Sequence, residues 1–298
     1  MNDKVLFMTE EQIRRYKVKK TFANIGIYTF LIAIALFIII PFYWMLATSL
    51  RSMEELTSIR IGFFPKKLIW SNYPQALKFA LDRGYNFLLF YFNTIFVGAL
   101  TTLGTLLTTV LAAFAFARLR FKGKEVLFSI FLATMMIPGE IFVISNYTTI
   151  SALGWKNTYQ ALVLPFMTSV FYIFFLRQTF MQIPNELYLA AKVDGTGDFK
   201  YLLRVMIPMA KATLTTILIL SMMGTWNAYV WPNLVADAEN MQLVSNGLMD
   251  AFKSPDGTQV LTHYQMAAAT LVTVPLLIVF LLLKKYIMRG VSRSGIKG

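Results

Sequence analysis

Side chains able to do acid–base, nucleophilic or metal chemistry are scarce in this sequence. Its 298 residues include one histidine, His263, and no cysteine. Disulfides and thiolate metal sites are therefore excluded, and a histidine-built metal centre is not expected. One acid, Glu140, stands well inside an apolar stretch, closing the run Met135-Met136-Ile137-Pro138-Gly139-Glu140. A carboxylate at membrane depth is a functional candidate by default. Pro138 and Gly139 also mark a kink or break, whose backbone such a carboxylate could satisfy. Both readings stand at this level. No G-x-x-x-x-G-K-[ST] phosphate loop occurs, so the chain cannot be a nucleotide-driven motor of that kind. It is expected to carry no catalytic residue, no metal and no cofactor of its own.

The setting of these few groups is a membrane protein. Hydrophobic residues make up 57% of the chain and charged residues 14%, with a mean hydropathy of +0.58, well outside the soluble globular range. A span needs about 20 apolar residues. Six stretches qualify, at about 21–48, 87–117, 126–150, 159–181, 212–235 and 264–288. The first is too long for a signal-peptide core and has no small-residue cleavage site behind it, so it is expected to stay as a true span. With the N-terminus in the cytosol, twenty of the 28 Lys and Arg fall on the cytosolic side. The positive-inside rule favours that orientation and accounts for the net charge of +13 without nucleic acid. The expected fold is an all-α polytopic bundle of six transmembrane helices with both termini inside.

Residues 1–20 form a basic cytosolic segment with a short amphipathic helix expected from Glu10 to Lys20, placed to meet anionic lipid or simply to fix topology. Residues 21–298 are expected to form one transmembrane domain. The 49–86 loop lies outside and has room for short surface helices around Trp70 and Tyr73, and Tyr43 and Trp44 suit an interfacial aromatic belt. Ala112, Ala113, Ala115 and Ala117 give the second span a slim end that permits close helix approach. The basic run Arg118, Arg120, Lys122 and Lys124 follows. The 236–262 loop is external, polar and rich in turn formers such as Ser254-Pro255-Asp256-Gly257. It reads as a binding element or as plain connection.

Between the fourth and fifth spans lies the segment Pro184–Pro208, PNELYLAAKVDGTGDFKYLLRVMIP. Asn185 is placed to cap a helix beginning at Glu186, and Gly195 to end it in the left-handed conformation. Leu187, Ala190 and Ala191 would share one small apolar face. Asp198 is placed to cap a second helix, with Leu202, Leu203, Val205 and Met206 available to pack on the bundle. The expected product is a helix–turn–helix elbow, fixed at both ends by spans and projecting into the cytosol. A structured connecting loop is the plainer reading.

This segment resembles the signature motif of permease subunits in binding-protein-dependent ABC importers, which reads approximately Glu-Ala-Ala, three residues, Gly, about nine residues, Ile-x-Leu-Pro. It maps onto Leu189-Ala190-Ala191, Gly195 and Val205-Met206-Ile207-Pro208, with Asp194 before the glycine as in the sugar-importing branch. The stretches ARLRFKGKEVLFSIFLATMMIPGEI, IFFLRQTFMQIPNEL, WNAYVWPNLV and the C-terminal region from Tyr264 resemble the smaller, six-span permease of maltose-type transporters. The chain departs from the motif at Leu189, where the family has glutamate; Glu186, three residues earlier, is the acid on the same helical face. The resemblance implies a type I ABC importer permease fold in a bacterial or archaeal inner membrane. It also implies a second, related permease, two copies of a cytosolic P-loop ATPase that bind the ATP, and an extracytoplasmic solute-binding protein. The 184–208 loop would couple to the ATPase through Glu186, Leu189, Ala190, Ala191, Asp194, Gly195 and Pro208. Loop 236–262 would reach the binding protein and the tail 290–298 the ATPases.

Sugars are held by polar hydrogen bonding together with aromatic stacking. Candidates for a sugar path are Asn93, Asn146, Tyr147, Trp226, Asn227 and Tyr229, although aromatics at helix ends also serve as interface anchors. Other readings stay open: an ABC permease for glycerol phosphate, peptides or amino acids, a secondary transporter, a membrane enzyme, or a scaffold. A secondary transporter would be expected to show internal repeats and coordinating acids, of which only Pro138-Gly139-Glu140 gives a hint.

Overall fold

A backbone immersed in hydrocarbon must satisfy its own polar groups, and among the described residues this chain does so with helices and no strand. The computed structural model describes residues 10–252 and 261–292. Helix α1 (Glu10–Ser49) runs unbroken through the basic segment and the first apolar stretch. Residues 10–20 are thus not a separate amphipathic helix: no Gly or Pro interrupts them, and Lys, Arg, Gln and Glu propagate a helix well.

After α1, α2 (Met53–Leu56) and α3 (Asn72–Asp82) are the short helices expected of the 49–86 loop. The fully buried Arg51 pins them. Its Nη2 donates to the carbonyls of Gly62 and Phe63, its Nε lies 3.2 Å from Glu55, and its guanidinium sits 4.9 Å from the Trp44 ring centre. Asn72 Nδ2 donates to the carbonyls of Ser49 and Arg51, both at 2.8 Å, closing the corner between α1 and α3.

Helix α4 (Phe87–Arg118) is the hub. Asn86 caps it by accepting from the amides of Leu88 and Leu89. Its buried face carries Thr94, Gly98, Thr101, Gly104 and Thr105, and small side chains let neighbours approach closely. A methyl group at Gly104 would collide with Met167, and one at Gly98 would meet Met222 Sδ at 2.6 Å.

The third stretch is two helices, α5 (Lys124–Thr134) and α6 (Phe142–Ala152), bent by 76°. The break falls where the sequence placed it, because Pro138 takes an extended backbone (ψ 131°) before a 3-10 turn at Gly139–Ile141. Glu140 sits in that turn, exposed, and its carboxylate makes no hydrogen bond or ion pair to another described residue. The fourth stretch is also broken, into α7 (Tyr159–Val163) and α8 (Val170–Met181), at 43°. Pro165 lies in a 3-10 turn there, and Ser169 Oγ restarts the helix by accepting from Tyr172 N.

Helices α9 (Asn185–Val193), α10 (Asp198–Tyr201) and α11 (Ile207–Met209) build the elbow, and α12 (Lys211–Trp226) leaves it at an 81° bend. The fifth stretch does not run helical to residue 235. It stops at Trp226 and resumes as α13 (Val230–Val235), because in a continuous helix the Pro232 ring would clash with the carbonyl of Ala228.

The 236–262 loop is more structured than its sequence suggests. Helix α14 (Val244–Ala251) packs into the bundle beside α4, with Leu243, Val244, Asn246 and Phe252 buried and Gly247 too close to Phe90 to carry a side chain. The Ser254–Gly257 turn and the tail from 293 lie outside the described residues. Helix α15 (Thr262–Ser292) closes the fold against α1, α3 and α12. By length and composition, three helices could each cross a membrane alone, and three bent pairs could each form a further span.

Arg177 ties three helices at the end of α8. It is buried, with Nε donating to Phe116 O at 3.2 Å, Nη2 3.1 Å from Glu125 Oε2, and the guanidinium 4.0 Å above the Phe128 ring. The Glu125 side chain is 70% exposed, so its half of the pair is screened by water. Glu125→Gln is expected to cost under about 1 kcal/mol. Arg177→Ala, which loses a charged hydrogen bond and the ring contact, is expected to cost about 2–4 kcal/mol. Thermal unfolding in detergent checks the ranking, and equal effects would refute it.

Candidate functional site

Two places could do work: a projecting elbow and a cavity inside the bundle. The elbow begins at Pro184, whose extended backbone (ψ 135°) sets the entry to α9 without any side-chain cap. Asn185 is therefore the first helical residue and not the cap expected of it. At the other end Gly195 has φ +72°, its amide bonds Lys192 O at 3.0 Å, and the Thr196 amide bonds Ala191 O at 2.8 Å. This is a Schellman motif, which needs a residue free to be left-handed.

Asp198 does not cap α10 either, since Gly197 stands at the cap. Its carboxylate instead accepts from Tyr188 Oη at 2.7 Å and lies 2.7 Å from Lys192 Nζ, bolting α10 to α9. The hydrogen bond from Lys192, then that from Tyr188, hold the Asp198 carboxyl below the usual carboxylate range. The reciprocal bond raises Lys192 above the usual lysine value.

The elbow's root is buried. Tyr201, Leu202 and Met206 join Phe180, Ile183, Ala113 and Ile217 in one core cluster. Residues Leu202–Met206 form a widened π turn. Pro208 cannot donate to the carbonyl of Arg204 and would clash with it, so the helix swells and the Ile207 amide reaches back to Leu202 O. Arg118 Nη2 donates to Phe180 O at 2.8 Å and to Ile183 O, tying the end of α4 to the elbow's entry.

Several apolar side chains of the elbow are uncovered within this chain: Leu187, Leu189, Val193, Phe199 and Leu203 are all exposed, Val193 at 88%. Glu186, Ala190, Asp194, Gly195 and Pro208 are exposed as well. Ala191 differs from expectation, turning partly inward against the core cluster, and Leu203 does not pack on the bundle.

The cavity has a volume of about 280 Å³ and lies among α4, α7, the start of α8, α12 and α13. Hydroxyl groups of Thr101, Thr105, Tyr172 and Ser221 line it together with the rings of Phe166 and Trp231, and no charged residue does. Trp231 Nε1 donates to Ala161 O at 2.9 Å and meets Phe166 edge to face, at a centroid distance of 5.9 Å.

None of the six residues expected on a sugar path lines this cavity. Asn93 is fully buried and acts as a rivet: Nδ2 donates to Asn240 O and Gln242 O, and Oδ1 accepts from Tyr159 Oη at 2.8 Å. Trp226 packs in a core cluster near Tyr91, whose ring centre is 5.9 Å away. Asn227 caps α12, with Nδ2 donating to Met223 O. Asn146 and Tyr229 are exposed, and the Tyr147 hydroxyl accepts from Lys156 Nζ at 3.2 Å. Two of the residues that do line the cavity, Thr101 and Thr105, left one signal in the sequence. They stand in a series, Thr94, Gly98, Thr101, Thr105 and Thr108, that recurs at steps of four and three, a small and hydroxylated stripe down one face of α4.

A helical bundle with apolar stretches long enough to cross a membrane is consistent with a transport subunit. The chain belongs to the family described as binding-protein-dependent transport system inner membrane component, whose family model matches residues 104–293. It is similar to the arabinooligosaccharides transport system permease protein AraQ of Bacillus subtilis, at 28% identity over 92% of this chain and 96% of that protein. The sn-glycerol-3-phosphate transport system permease protein UgpE of Rhizobium meliloti is 28% identical over 93% and 98% of the two chains. The probable ABC transporter permease protein MG189 of Mycoplasma genitalium is 30% identical over 88% and 85%. A crystal structure of a bacterial ABC transporter involved in the import of the acidic polysaccharide alginate shares the fold, with a TM-score of 0.73 over 94% of this chain and 99% of that one, at 24% identity. The chain is thus an ABC importer permease of the cell membrane, a transport subunit and not itself an enzyme.

The elbow bolt has a defined pH window. The lowered Asp198 makes a contribution that is present above the usual carboxylate pKa and lost as pH falls through its folded value. The raised Lys192 makes one that is present below the usual lysine pKa and lost as pH rises through its folded value. Hydrogen exchange of residues 198–209 should therefore be slowest relative to the rest of the chain at neutral pH. Asp198→Asn should speed it locally while leaving α4 protection unchanged, and uniform loss of protection would refute the bolt.

Proposed function

We propose that this chain is the six-span permease of an ATP-driven importer for a sugar or oligosaccharide, with both termini in the cytosol. A second, related permease completes the pathway, and an extracytoplasmic binding protein delivers the solute. Two copies of a cytosolic P-loop ATPase hold the nucleotide, so this chain needs no cofactor. The family and the sugar-transporting relative AraQ support this reading, and the charge asymmetry across the apolar stretches supports the orientation.

The observation that carries the coupling role is the elbow: a buried root joined to α8 and α12, and apolar side chains left exposed within this chain. Leu187, Leu189 and Val193 enter a cleft on the ATPase, and Leu189 in place of the family's glutamate makes this contact apolar. ATP binding closes the ATPase pair and moves the elbow. Because its root is packed, the motion passes to α8 and α12 together. Differential binding worth several kcal/mol is enough to invert a two-state equilibrium of inward- and outward-facing forms. A second reading, import of glycerol phosphate, is favoured by the relative UgpE.

Gly195→Val tests the coupling. A β-branched side chain at φ +72° costs about 1–2 kcal/mol or more and distorts the turn. In proteoliposomes holding the whole importer, ATP hydrolysis should persist while uptake collapses, with membrane insertion unchanged. Uptake at the wild-type rate would refute the role of the elbow.

A further inference from the structure

The cavity described above is lined for a particular chemistry. Several threonines in these helices satisfy their hydroxyls by donating to the carbonyl four residues earlier, as Thr94, Thr216, Thr225 and Thr270 do. Thr101 does not. It is 4% exposed, and its Oγ1 has no hydrogen-bond partner among the described residues. Of the residues with a buried side-chain polar atom left without a partner, Thr101 is the one that borders this cavity, and its Oγ1 is sealed in the wall, reaching a ligand only if the side chain turns. A buried hydroxyl in hydrocarbon costs free energy unless something pairs with it.

Other groups around the same space have capacity to spare. Tyr172 Oη makes no hydrogen bond to a described residue. Ser221 Oγ accepts from Thr102 at 3.2 Å and keeps its own proton, while Thr105 Oγ1 donates to Phe166 O and keeps lone pairs. Residues with spare donors and acceptors therefore border one space, beside the Trp231 and Phe166 rings. Because the Trp231 N–H is already spent on Ala161, the ring offers only its surface.

We infer that this cavity is a binding site, within this subunit, for one uncharged sugar ring. The inference rests on the importer reading and adds a location and a selectivity to it. A sugar ring presents hydroxyls that both donate and accept at its rim and C–H groups on its faces, matching the hydroxyls and rings just named. The volume of about 280 Å³ is at the lower end of small-ligand pockets and suits a single ring. Thr101 lies near the middle of α4, about 21 Å along the helix from Phe87, so the site is at mid-depth.

Selectivity follows from what the walls lack. With no Lys, Arg or His among the lining residues, a phosphate or carboxylate entering would lose its water and gain no counter-charge. The site therefore takes neutral sugars and refuses glycerol phosphate and uronic acids.

The absence of cysteine from the chain makes the test direct. Thr225→Cys places one thiol in the cavity wall of this subunit. In the complete importer in nanodiscs, its modification by a small neutral thiol reagent is followed on this chain by mass spectrometry. Probes are D-glucose, L-arabinose and maltose, against glycerol 3-phosphate and D-glucuronate. At least one neutral sugar should slow labelling about threefold or more, the factor 1 + [L]/Kd at twice the Kd, and neither anion should slow it.

Gly224 supplies the second arm, since a Cβ there meets nothing within 4 Å and points to open space in a helix. Adding Gly224→Leu should abolish protection by filling the cavity. Gly224→Ala, which favours the helix, should leave assembly intact and weaken protection less. Absence of protection by every neutral sugar, protection by the anions, or protection that survives Gly224→Leu would each overturn the site. The importer reading fails separately, if the chain purifies with no ATPase and shows no ATP-dependent uptake.

Discussion

Hydrocarbon offers a peptide group nothing to bond with, so every departure from a straight helix in this fold has to be repaired locally. The repairs are visible at each bend. Before Pro138 the amides of Met135, Met136 and Ile137 fall back on carbonyls three residues earlier. Between α7 and α8, Ser169 supplies an oxygen to the new helix, and Thr105 and Thr108 on α4 donate to the carbonyls of Phe166 and Met167 left free by the break. At the elbow, Arg118 collects the carbonyls of Phe180 and Ile183. The polar residues of this bundle are thus placed first by the needs of broken backbone, and any ligand must use what those repairs leave over.

That constraint explains which parts of the fold could be read from sequence. Hydrophobic runs gave the apolar stretches nearly to the residue, and Pro138-Gly139 gave one break. Gly195 gave the left-handed turn, because few other residues tolerate φ +72°. The caps were misassigned for a physical reason: Asn185 and Asp198 have the right chemistry, but Pro184 and Gly197 hold the cap positions by backbone shape, which frees the Asp198 carboxylate for Tyr188 and Lys192. The end of the fifth stretch was missed because Pro232 acts four residues upstream, on a carbonyl, and not where it stands.

The candidate site was less legible than the fold. Asparagine and tryptophan near helix ends look like ligand groups, yet Asn93 and Trp226 are spent on packing and on the outer loop. Whether an amide is committed or free depends on contacts across 147 residues of chain, as between Asn93 and Asn240, and local pattern carries no record of that. The threonine–glycine stripe of α4 was readable as a face, but only the packing shows that Thr101 on that face is left without a bond.

The 81° bend between the elbow and α12 makes the latter a lever arm with its pivot at Ala210. Sixteen residues of helix give an arm of about 24 Å. A tilt of roughly 10° about the pivot sweeps its far end by about 4 Å for an arm of that length, comparable to the thickness of a sugar ring. Ser221, Gly224 and Thr225 ride on that far end and form one wall of the cavity. In the proposed coupling, a small rotation at the elbow would change the width of the chamber itself, so that the energy of the stroke and the grip on the cargo would share a single mechanical coordinate.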